Sequence, residues 1–235
     1  AVEIIEAAKD AGADAIKLQT YTPGTLTIDC HTKYFQIQGT VWAGKYLYDL
    51  YGEAYTPWDW HAELKRVADK LGIDFFSTPF DASSVDFLES LQVPVYKVAS
   101  FELIDNHLLK KIASTGKPVI MSTGMASLAE IDDAVSILRE QGSVDFALLK
   151  CTSAYPAPVE SMNLQTMTNL SQTFGVPVGL SDHSMGIAVP ITAVALGATI
   201  IEKHFTLDRT AKGPDSSFSL EPEEFKAMVI AIRQA

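Results

Sequence analysis

The sequence has few cysteines and no long apolar run. Cys30 and Cys151 are the two cysteines among 235 residues, too few for a disulfide framework. No stretch reaches the roughly 20 consecutive apolar residues of a membrane span, and the opening residues AVEIIEAAKDAG have neither a basic segment nor a signal-cleavage pattern. We therefore expect a cytoplasmic protein that does not associate with a membrane.

Positive charge is also scarce. The chain has 18 Lys and Arg against 29 Asp and Glu, a formal net charge of −11. Nucleic acids and anionic membranes favour a basic protein face, so neither is expected as a partner. Lysines gathered in one pocket could still bind a small anion.

A Gly-x-Gly-x-x-Gly turn after a strand is missing too, which disfavours dinucleotide binding. Short apolar runs that end in polar residues recur instead, separated by stretches with apolar residues at helical spacing. This alternation predicts an α/β fold with a parallel sheet covered by helices. The strand-like runs are AIKLQT, DFFSTP, PVYKVAS, PVIMSTG, FALLKCTS, PVGLSD and TIIEKHF.

Seven strands can be counted, and the last segment, EPEEFKAMVIAIRQA, is expected to be the helix after the final strand. We predict a TIM-type (β/α)8 barrel over residues 1–235, supplied as a fragment whose first strand precedes Ala1. An open, doubly wound sheet is the structural alternative. Residues 20–56 are predicted to form a long loop rich in aromatic residues. Its rings are expected to pack on the barrel, although some could contact a sugar.

In such barrels the active site lies at the C-terminal ends of the strands. The polar residues that end the seven apolar runs are therefore expected to converge at one mouth, although hydroxyls in these positions also cap helices. These residues are Lys17, Gln19, Ser77, Thr78, Lys97, Ser100, Ser122, Thr123, Lys150, Ser153, Ser181, His183 and His204.

Lys17 and Lys97 interrupt apolar runs, where an unpaired ammonium is costly. We expect both to point into the mouth and meet an anion; the alternative is a pair of structural ion bridges. Lys150 and Lys203 are weaker candidates, since either could face outward. In STGMASLAE, Ser127 and Glu130 form a pattern that starts a helix, and helix starts suit phosphate or carboxylate.

His183 and His204 follow adjacent strands and are expected to be neighbours on the rim. Two imidazoles suit a divalent metal ion with open positions for water and substrate. From spacing alone, one histidine as a general base and the other as a hydrogen-bonding core residue is an equal alternative. His31 and His61 are predicted to be surface or loop residues, and His107 to lie near a helix start.

The segments around these residues resemble the sialic acid synthase family over essentially the whole chain. They are KLQTYTP, FFSTPFD, YKVASFE, MSTGMAS, CTSAYPAP, GLSDHSMG, IEKHFTLDR and GPDSSFSLEPEEF. Within the family, TLTIDC, LYDLYGEAYTP and YTPWDWHAEL are most similar to the pseudaminic acid branch. The resemblance implies a transferase that condenses phosphoenolpyruvate with a 2,4-diacetamido-2,4,6-trideoxy aldohexose, releases phosphate and forms a nine-carbon 2-keto acid.

The resemblance also implies roles for matched residues. His183 and His204 would bind a divalent ion, with Mn²⁺ or Mg²⁺ expected, and together with Lys97 would be catalytic. The phosphoenolpyruvate pocket would comprise Lys17, Thr78, Lys97, Ser100, Ser122, Ser153 and Ser181. Some relatives carry Asn at the position of Ser153. Residues near the acceptor sugar would be Gln19, Glu102, Tyr155 and Asp215.

Two further expectations come from the resemblance. Family members carry an acidic residue near the end of the first barrel strand, which here would precede Ala1. They also have a C-terminal antifreeze-like domain, absent from this chain, and form homodimers in which that domain covers the partner's mouth. The alternative functions are an N-acetylneuraminate or legionaminate synthase and a non-catalytic ligand-binding barrel.

Overall fold

The computed structural model describes residues 1–142, 145–211 and 213–235. In these residues seven strands form one sheet. All are parallel, and each pairs with the next in sequence order. The strands are β1 (Ala15–Thr20), β2 (Asp74–Pro79), β3 (Tyr96–Val98), β4 (Val119–Ser122), β5 (Phe146–Cys151), β6 (Val178–Asp182) and β7 (Ile200–Lys203).

Helices follow every strand, as the alternating pattern predicted. Short 3-10 turns lie at Lys33–Phe35, Glu102–Ile104, Val159–Ser161 and Ser216–Phe218. The α-helices are α1 (Val2–Asp10), α2 (Pro23–Leu26), α3 (Leu47–Ala54), α4 (Trp58–Leu71), α5 (Ala82–Ser90), α6 (Asn106–Ala113), α7 (Leu128–Glu140), α8 (Gln165–Phe174), α9 (Ala188–Ala195) and α10 (Pro222–Ile232).

The core lies between the sheet and its helices. Every residue of β3, β5 and β6 is buried, as expected of parallel strands covered on both faces. At Gly179 on β6 the neighbouring strands approach closely. A Cβ there would lie 2.7 Å from Leu149 Cδ2 and 2.9 Å from Ile200 Cβ. Glycine therefore permits the close packing of β5, β6 and β7.

The predicted helix start at Ser127 is confirmed. The Ser127 backbone N–H donates to Glu130 Oε2 at 2.7 Å, and the Glu130 backbone N–H donates to Ser127 Oγ at 3.3 Å. Both side chains thus satisfy backbone groups at the start of α7.

Residues 20–56 are more ordered than the predicted loop, because they contain α2, α3 and the first 3-10 turn. The prediction that rings pack on the barrel holds for Tyr21, which is 2% exposed and contacts the rings of Tyr51 and Phe80 edge to face. It is wrong for Tyr34, which is 82% exposed. Residues 20–56 thus form a folded segment in which Tyr34 is exposed and several other aromatic rings are packed.

The sheet curls into the predicted TIM-type barrel, with an open side between β1 and β7. These two strands are the edges of the described sheet. A cavity of about 750 Å³ lies between them, and its wall includes residues of α1 and α10. None of the helices in the described ranges is both long enough and apolar enough to cross a membrane.

Candidate active site

Lys97 lies at the centre of the mouth, on β3. Its side chain is 2% exposed, and Nζ donates to Ser122 Oγ at 2.7 Å and to the Val98 carbonyl at 3.1 Å. Burial lowers the pKa of Lys97 to about 8, and the negative charge of Glu202 opposes that shift. The ammonium is therefore charged at neutral pH but loses its proton more readily than an exposed lysine.

Lys17 on β1 and Lys97 share one carboxylate, that of Glu202 on β7. Lys17 Nζ lies 3.3 Å from Glu202 Oε2, and Lys97 Nζ lies 3.7 Å from Oε1. Ser181 on β6 donates its hydroxyl to Oε1 at 2.7 Å. Burial alone would raise the pKa of Glu202, but Lys17 and Lys97, with the Ser181 hydroxyl, hold it well below its usual range.

The two interpretations of Lys17 and Lys97, anion binding in the mouth and structural ion bridges, are therefore both partly correct. The two ammonium groups do face the mouth, and they also form ion bridges there. Glu202 was not identified from the sequence. A signal was available, because residues two apart on a strand share a face, and Glu202 stands two positions before His204.

Hydroxyl groups surround the lysines at the ends of β2, β3, β4 and β5. The Gly124 backbone N–H donates to Ser100 Oγ at 3.0 Å. A Cβ on Gly124 would lie 2.5 Å from Ser153 Oγ and 2.8 Å from Ser100 Oγ, so only glycine leaves this space free. Thr78 Oγ1 is buried without a hydrogen-bond partner among the described residues. These groups can donate to an anion that enters the mouth.

The rings of His183 and His204 are neighbours, with centroids 5.3 Å apart. His183 Nδ1 lies 3.0 Å from the Thr152 carbonyl oxygen. Since that oxygen can only accept, Nδ1 donates to it, and Nε2 is the ring nitrogen left for a ligand. Burial lowers the pKa of His204 to about 3, and the positive charge of Lys17 adds to that shift.

Two neighbouring imidazoles, each offering one ring nitrogen, are suitable ligands for a divalent ion. The Asp215 carboxylate stands beside them, with Oδ2 3.6 Å from His204 Nδ1. The described residues contain no cluster of three or more His, Cys, Asp and Glu side chains with metal-site spacing. The residues present thus fit an ion held by His183 and His204 that takes its other ligands from water or substrate.

An aromatic wall formed by Trp42, Tyr155 and Phe218 borders the histidines. The Tyr155 ring lies 4.3 Å from that of His183 and 5.3 Å from that of Phe218. Trp42 comes from the segment before α3, and its ring centroid is 5.7 Å from that of Tyr155. The Trp42 indole N–H donates to the Pro214 carbonyl at 2.9 Å, which fixes the ring over the mouth.

Glu102, Asp215 and Gln19 complete the rim. Glu102 Oε2 is buried and has no hydrogen-bond partner in the described chain. Burial raises the pKa of Glu102 to about 7, so this carboxyl can carry a proton near neutral pH. Burial also raises the pKa of Asp215. Gln19 is exposed on β1 and lines the cavity that contains His183 and His204.

Three sequence-based expectations are wrong, those for Lys150, Ser77 and His61. Lys150 faces a separate cavity of about 640 Å³ beside α7 and α8. Lys203, for which an outward orientation was left open, forms a fully buried pair with Asp182. Ser77 and His61 both bond Thr20 instead of facing the mouth or solvent, and His61 is completely buried in α4. Lys150 and Lys203 differ from Lys17 and Lys97 because side chains alternate between the faces of a strand.

Cys151 was not singled out from the sequence, yet it lies in the mouth. Its sulfur is 4.0 Å from His183 Nδ1 and 3.9 Å from Ser153 Oγ. The alternation that turns Lys150 outward on β5 turns Cys151 inward. His107 lies in the first turn of α6, as predicted, and His31 is an exposed residue beside Asp49.

Comparisons with known proteins agree with this geometry. The chain matches the NeuB family over residues 4–235. The pseudaminic acid synthase of Helicobacter pylori is 48% identical over 235 residues, covering all of this chain and 69% of that protein. The N,N'-diacetyllegionaminic acid synthase of Legionella pneumophila is 40% identical, over 100% of this chain and 67% of that protein. The N-acetylneuraminic acid synthetase structure from Leptospira borgpetersenii has a TM-score of 0.89 at 36% identity, covering 99% of this chain and 76% of that one.

The charge of Lys97 predicts how anion binding depends on pH. Sulfate keeps its charge across this range, so its affinity should fall about tenfold between pH 7 and 9 as Lys97 deprotonates through its pKa of about 8. Isothermal titration calorimetry measures the change. In Lys97→Arg the guanidinium stays charged, and the affinity should be flat with pH. Equal declines in both proteins would contradict the assignment.

The paired histidines predict that His204→Ala weakens Mn²⁺ binding by at least about tenfold, because one of two protein ligands is lost. The folded structure should persist, as judged by circular dichroism and the unfolding midpoint. Mn²⁺ titration followed by electron paramagnetic resonance reports the affinity directly. His31→Ala removes an exposed histidine elsewhere and is the matched control. Unchanged Mn²⁺ affinity in His204→Ala would refute the role of this ring.

Proposed function

The chain belongs to the NeuB family, and we propose that it condenses phosphoenolpyruvate with an amino-sugar aldose to form a nine-carbon 2-keto acid. The observation that carries this proposal is the convergence of two ammonium groups and two imidazoles on one mouth. One pair suits a small polyanion and the other suits a divalent ion. Within the family, the 48% identity to a pseudaminic acid synthase supports that branch.

The anion pocket in this proposal is built on Lys17 and Lys97. Their ammonium groups neutralise the phosphate and carboxylate of phosphoenolpyruvate. Hydroxyls on the surrounding strand ends then fix its orientation and hold it in attack geometry, since they lie on rigid strands and turns. The hydroxyls assigned to this task are those of Thr78, Ser100, Ser122, Ser153 and Ser181.

The reaction joins carbon three of the enol phosphate to the aldehyde carbon of the open-chain aldose. The electron pair of the carbon–carbon double bond forms the new bond and leaves carbon two electron-poor. A water adds at carbon two and loses one proton, and the aldehyde oxygen gains one. The tetrahedral species then loses phosphate as its carbon–oxygen bond breaks. The hydroxyl at carbon two becomes the keto group, and its proton leaves with the phosphate.

His183 and His204 would hold the divalent ion, and Mn²⁺ or Mg²⁺ is proposed. When bound, such an ion supplies Lewis acidity that polarises a carbonyl oxygen. The depressed pKa of His204 keeps this ring neutral, the form that binds metal. The hydrogen bond from His183 Nδ1 to Thr152 orients the second ring and leaves Nε2 to face the mouth.

Glu102 is assigned the task of holding a proton. Its pKa of about 7 lets it exist in both forms at neutral pH, and Oε2 has no other partner within the described chain. A carboxyl group with these properties can give a proton to the aldehyde oxygen or receive one from the attacking water. Its buried position keeps bulk water from competing for that proton.

The aromatic wall supports an acceptor with apolar substituents. Trp42, Tyr155 and Phe218 present ring faces and edges, which favour methyl groups over hydroxyls. A 2,4-diacetamido-2,4,6-trideoxy aldohexose has a methyl group at carbon six and two acetamido methyls. Gln19 and Asp215 on the same rim can bind its hydroxyl and amide groups.

Residues 1–235 are proposed to be the barrel domain of a larger homodimeric enzyme. The unpaired edges of β1 and β7 and the cavity between them suit one further parallel strand. The chain spans 69% of the Helicobacter pylori relative, which leaves room there for the antifreeze-like domain. A cytoplasmic location is proposed because phosphoenolpyruvate is a metabolite of that compartment.

The proposed function predicts a ranking of acceptors. The full-length protein with phosphoenolpyruvate and a divalent ion should release phosphate fastest with 2,4-diacetamido-2,4,6-trideoxy-altrose. The legionaminate precursor and N-acetylmannosamine should be at least about tenfold poorer in kcat/KM, because polar or misplaced groups meet the aromatic wall. A phosphate-release assay with mass detection of the nine-carbon acid measures this.

A different preferred aldose would reassign the chain to another branch. Binding of phosphoenolpyruvate without phosphate release for any aldose would instead support the non-catalytic barrel.

The aromatic wall predicts a selective effect of Trp42→Ala. The KM for the aldose should rise about tenfold as the wall loses its largest ring. The KM for phosphoenolpyruvate should change less than about twofold, since the lysines are untouched. Steady-state kinetics with each substrate varied in turn separates the two values. Tyr34→Ala removes an exposed ring of the same segment and should change neither; a parallel rise in both KM values for Trp42→Ala would count against this role.

A further inference from the structure

Both oxygens of the Glu202 carboxylate are engaged by groups of the mouth. Oε2 faces Lys17, whereas Oε1 accepts from Ser181 and faces Lys97. The Glu202 side chain is 20% exposed, so an entering ligand can reach it. Four strands, β1, β3, β6 and β7, are thus joined by one carboxylate held in one orientation.

The charges explain why a carboxylate stands in an anion pocket. Lys97 is almost fully buried, and an ammonium in such a position needs a counter-ion. Lys17 adds a second positive charge close by. Glu202 reduces the local charge of the two lysines from +2 to +1. The pocket therefore stays attractive to an anion without binding it as strongly as two free lysines would.

Resting on the proposed function, we propose that Glu202 is a positioning residue that acts as the resident counter-ion of the phosphoenolpyruvate pocket. It holds Lys17 and Lys97 in place when no anion is bound. It also weakens the hold of the pocket on inorganic phosphate, so that this product leaves. The residue touches the lysines, and through them it sets both the geometry and the strength of anion binding.

The same two strands carry a matched pair that faces the other way. Ser181 and Glu202 are register partners, and the next partners are Asp182 and Lys203. Asp182 and Lys203 form an ion pair at 2.5 Å whose side chains are 0% and 1% exposed. Both side chains are almost completely shielded from solvent, so this pair serves as the control for a structural carboxylate.

Glu202→Gln removes the charge and keeps the size of the side chain. Calorimetric titration with inorganic phosphate at fixed pH and ionic strength should show binding about five- to tenfold tighter than in the wild type. The unfolding midpoint should fall without phosphate and recover when phosphate is added, because the anion replaces the lost carboxylate. In steady-state kinetics, kcat should fall while phosphate becomes a stronger inhibitor and KM for phosphoenolpyruvate does not rise.

Asp182→Asn should also lower the unfolding midpoint, because it leaves Lys203 without its partner. In Asp182→Asn, added phosphate should raise the unfolding midpoint no more than it does in the wild type. Its phosphate affinity should equal that of the wild type. Equal or weaker phosphate binding by folded Glu202→Gln would overturn the proposal. So would an equal phosphate-dependent recovery of the midpoint in Asp182→Asn.

If Glu202→Gln does not fold, Glu202→Asp is the second variant. Its carboxylate lies one methylene farther from Lys17 and Lys97, so its phosphate affinity should be at least about threefold higher than that of the wild type. An affinity equal to that of the wild type would contradict the counter-ion role. A different result would contradict the proposed function: wild-type protein that releases no phosphate from phosphoenolpyruvate with any aldose. Titration with phosphate alone does not depend on turnover, so the two failures can be told apart.

Discussion

The pairing of Lys17 and Lys97 with the single carboxylate of Glu202 is the interaction on which the rest of the site depends. Two ammonium groups repel each other, and burying one of them is costly without a negative partner. Glu202 removes both difficulties, and Ser181 keeps its carboxylate in place. The mouth can therefore hold a net positive charge on rigid strands, ready for a small anion.

The parallel strands that form the site have two faces, one towards the mouth and one towards the helices. Side chains alternate along β5, β6 and β7, so neighbouring residues serve opposite faces. Cys151 and Glu202 face the mouth, whereas Lys150 and Lys203 face the helices. On the outer face Lys203 pairs with Asp182 of the neighbouring strand, and the inward groups form the site. Stability and chemistry thus share the same short strands without competing for the same residues.

Much of the fold could be predicted, because βα alternation and apolar strand runs are local properties of the sequence. Lys17, Lys97, His183 and His204 could be placed at one mouth because parallel strands bring their C-terminal ends together. Glu202 was missed because the two-residue spacing that places it on the same face as His204 was not used. His61 was misplaced because its partner, Thr20, is 41 residues away and only the folded chain joins them.

The aromatic wall links the two halves of the proposed chemistry, since Tyr155 contacts the His183 ring on one side and meets Trp42 on the other. The central claim remains that phosphoenolpyruvate binds between Lys17 and Lys97. A crystal structure of the protein with phosphoenolpyruvate and Mn²⁺ tests it most directly. We predict phosphate and carboxylate oxygens within hydrogen-bond distance of both Nζ atoms and Mn²⁺ on His183 and His204. Phosphoenolpyruvate bound instead in the cavity beside Lys150 would contradict the account.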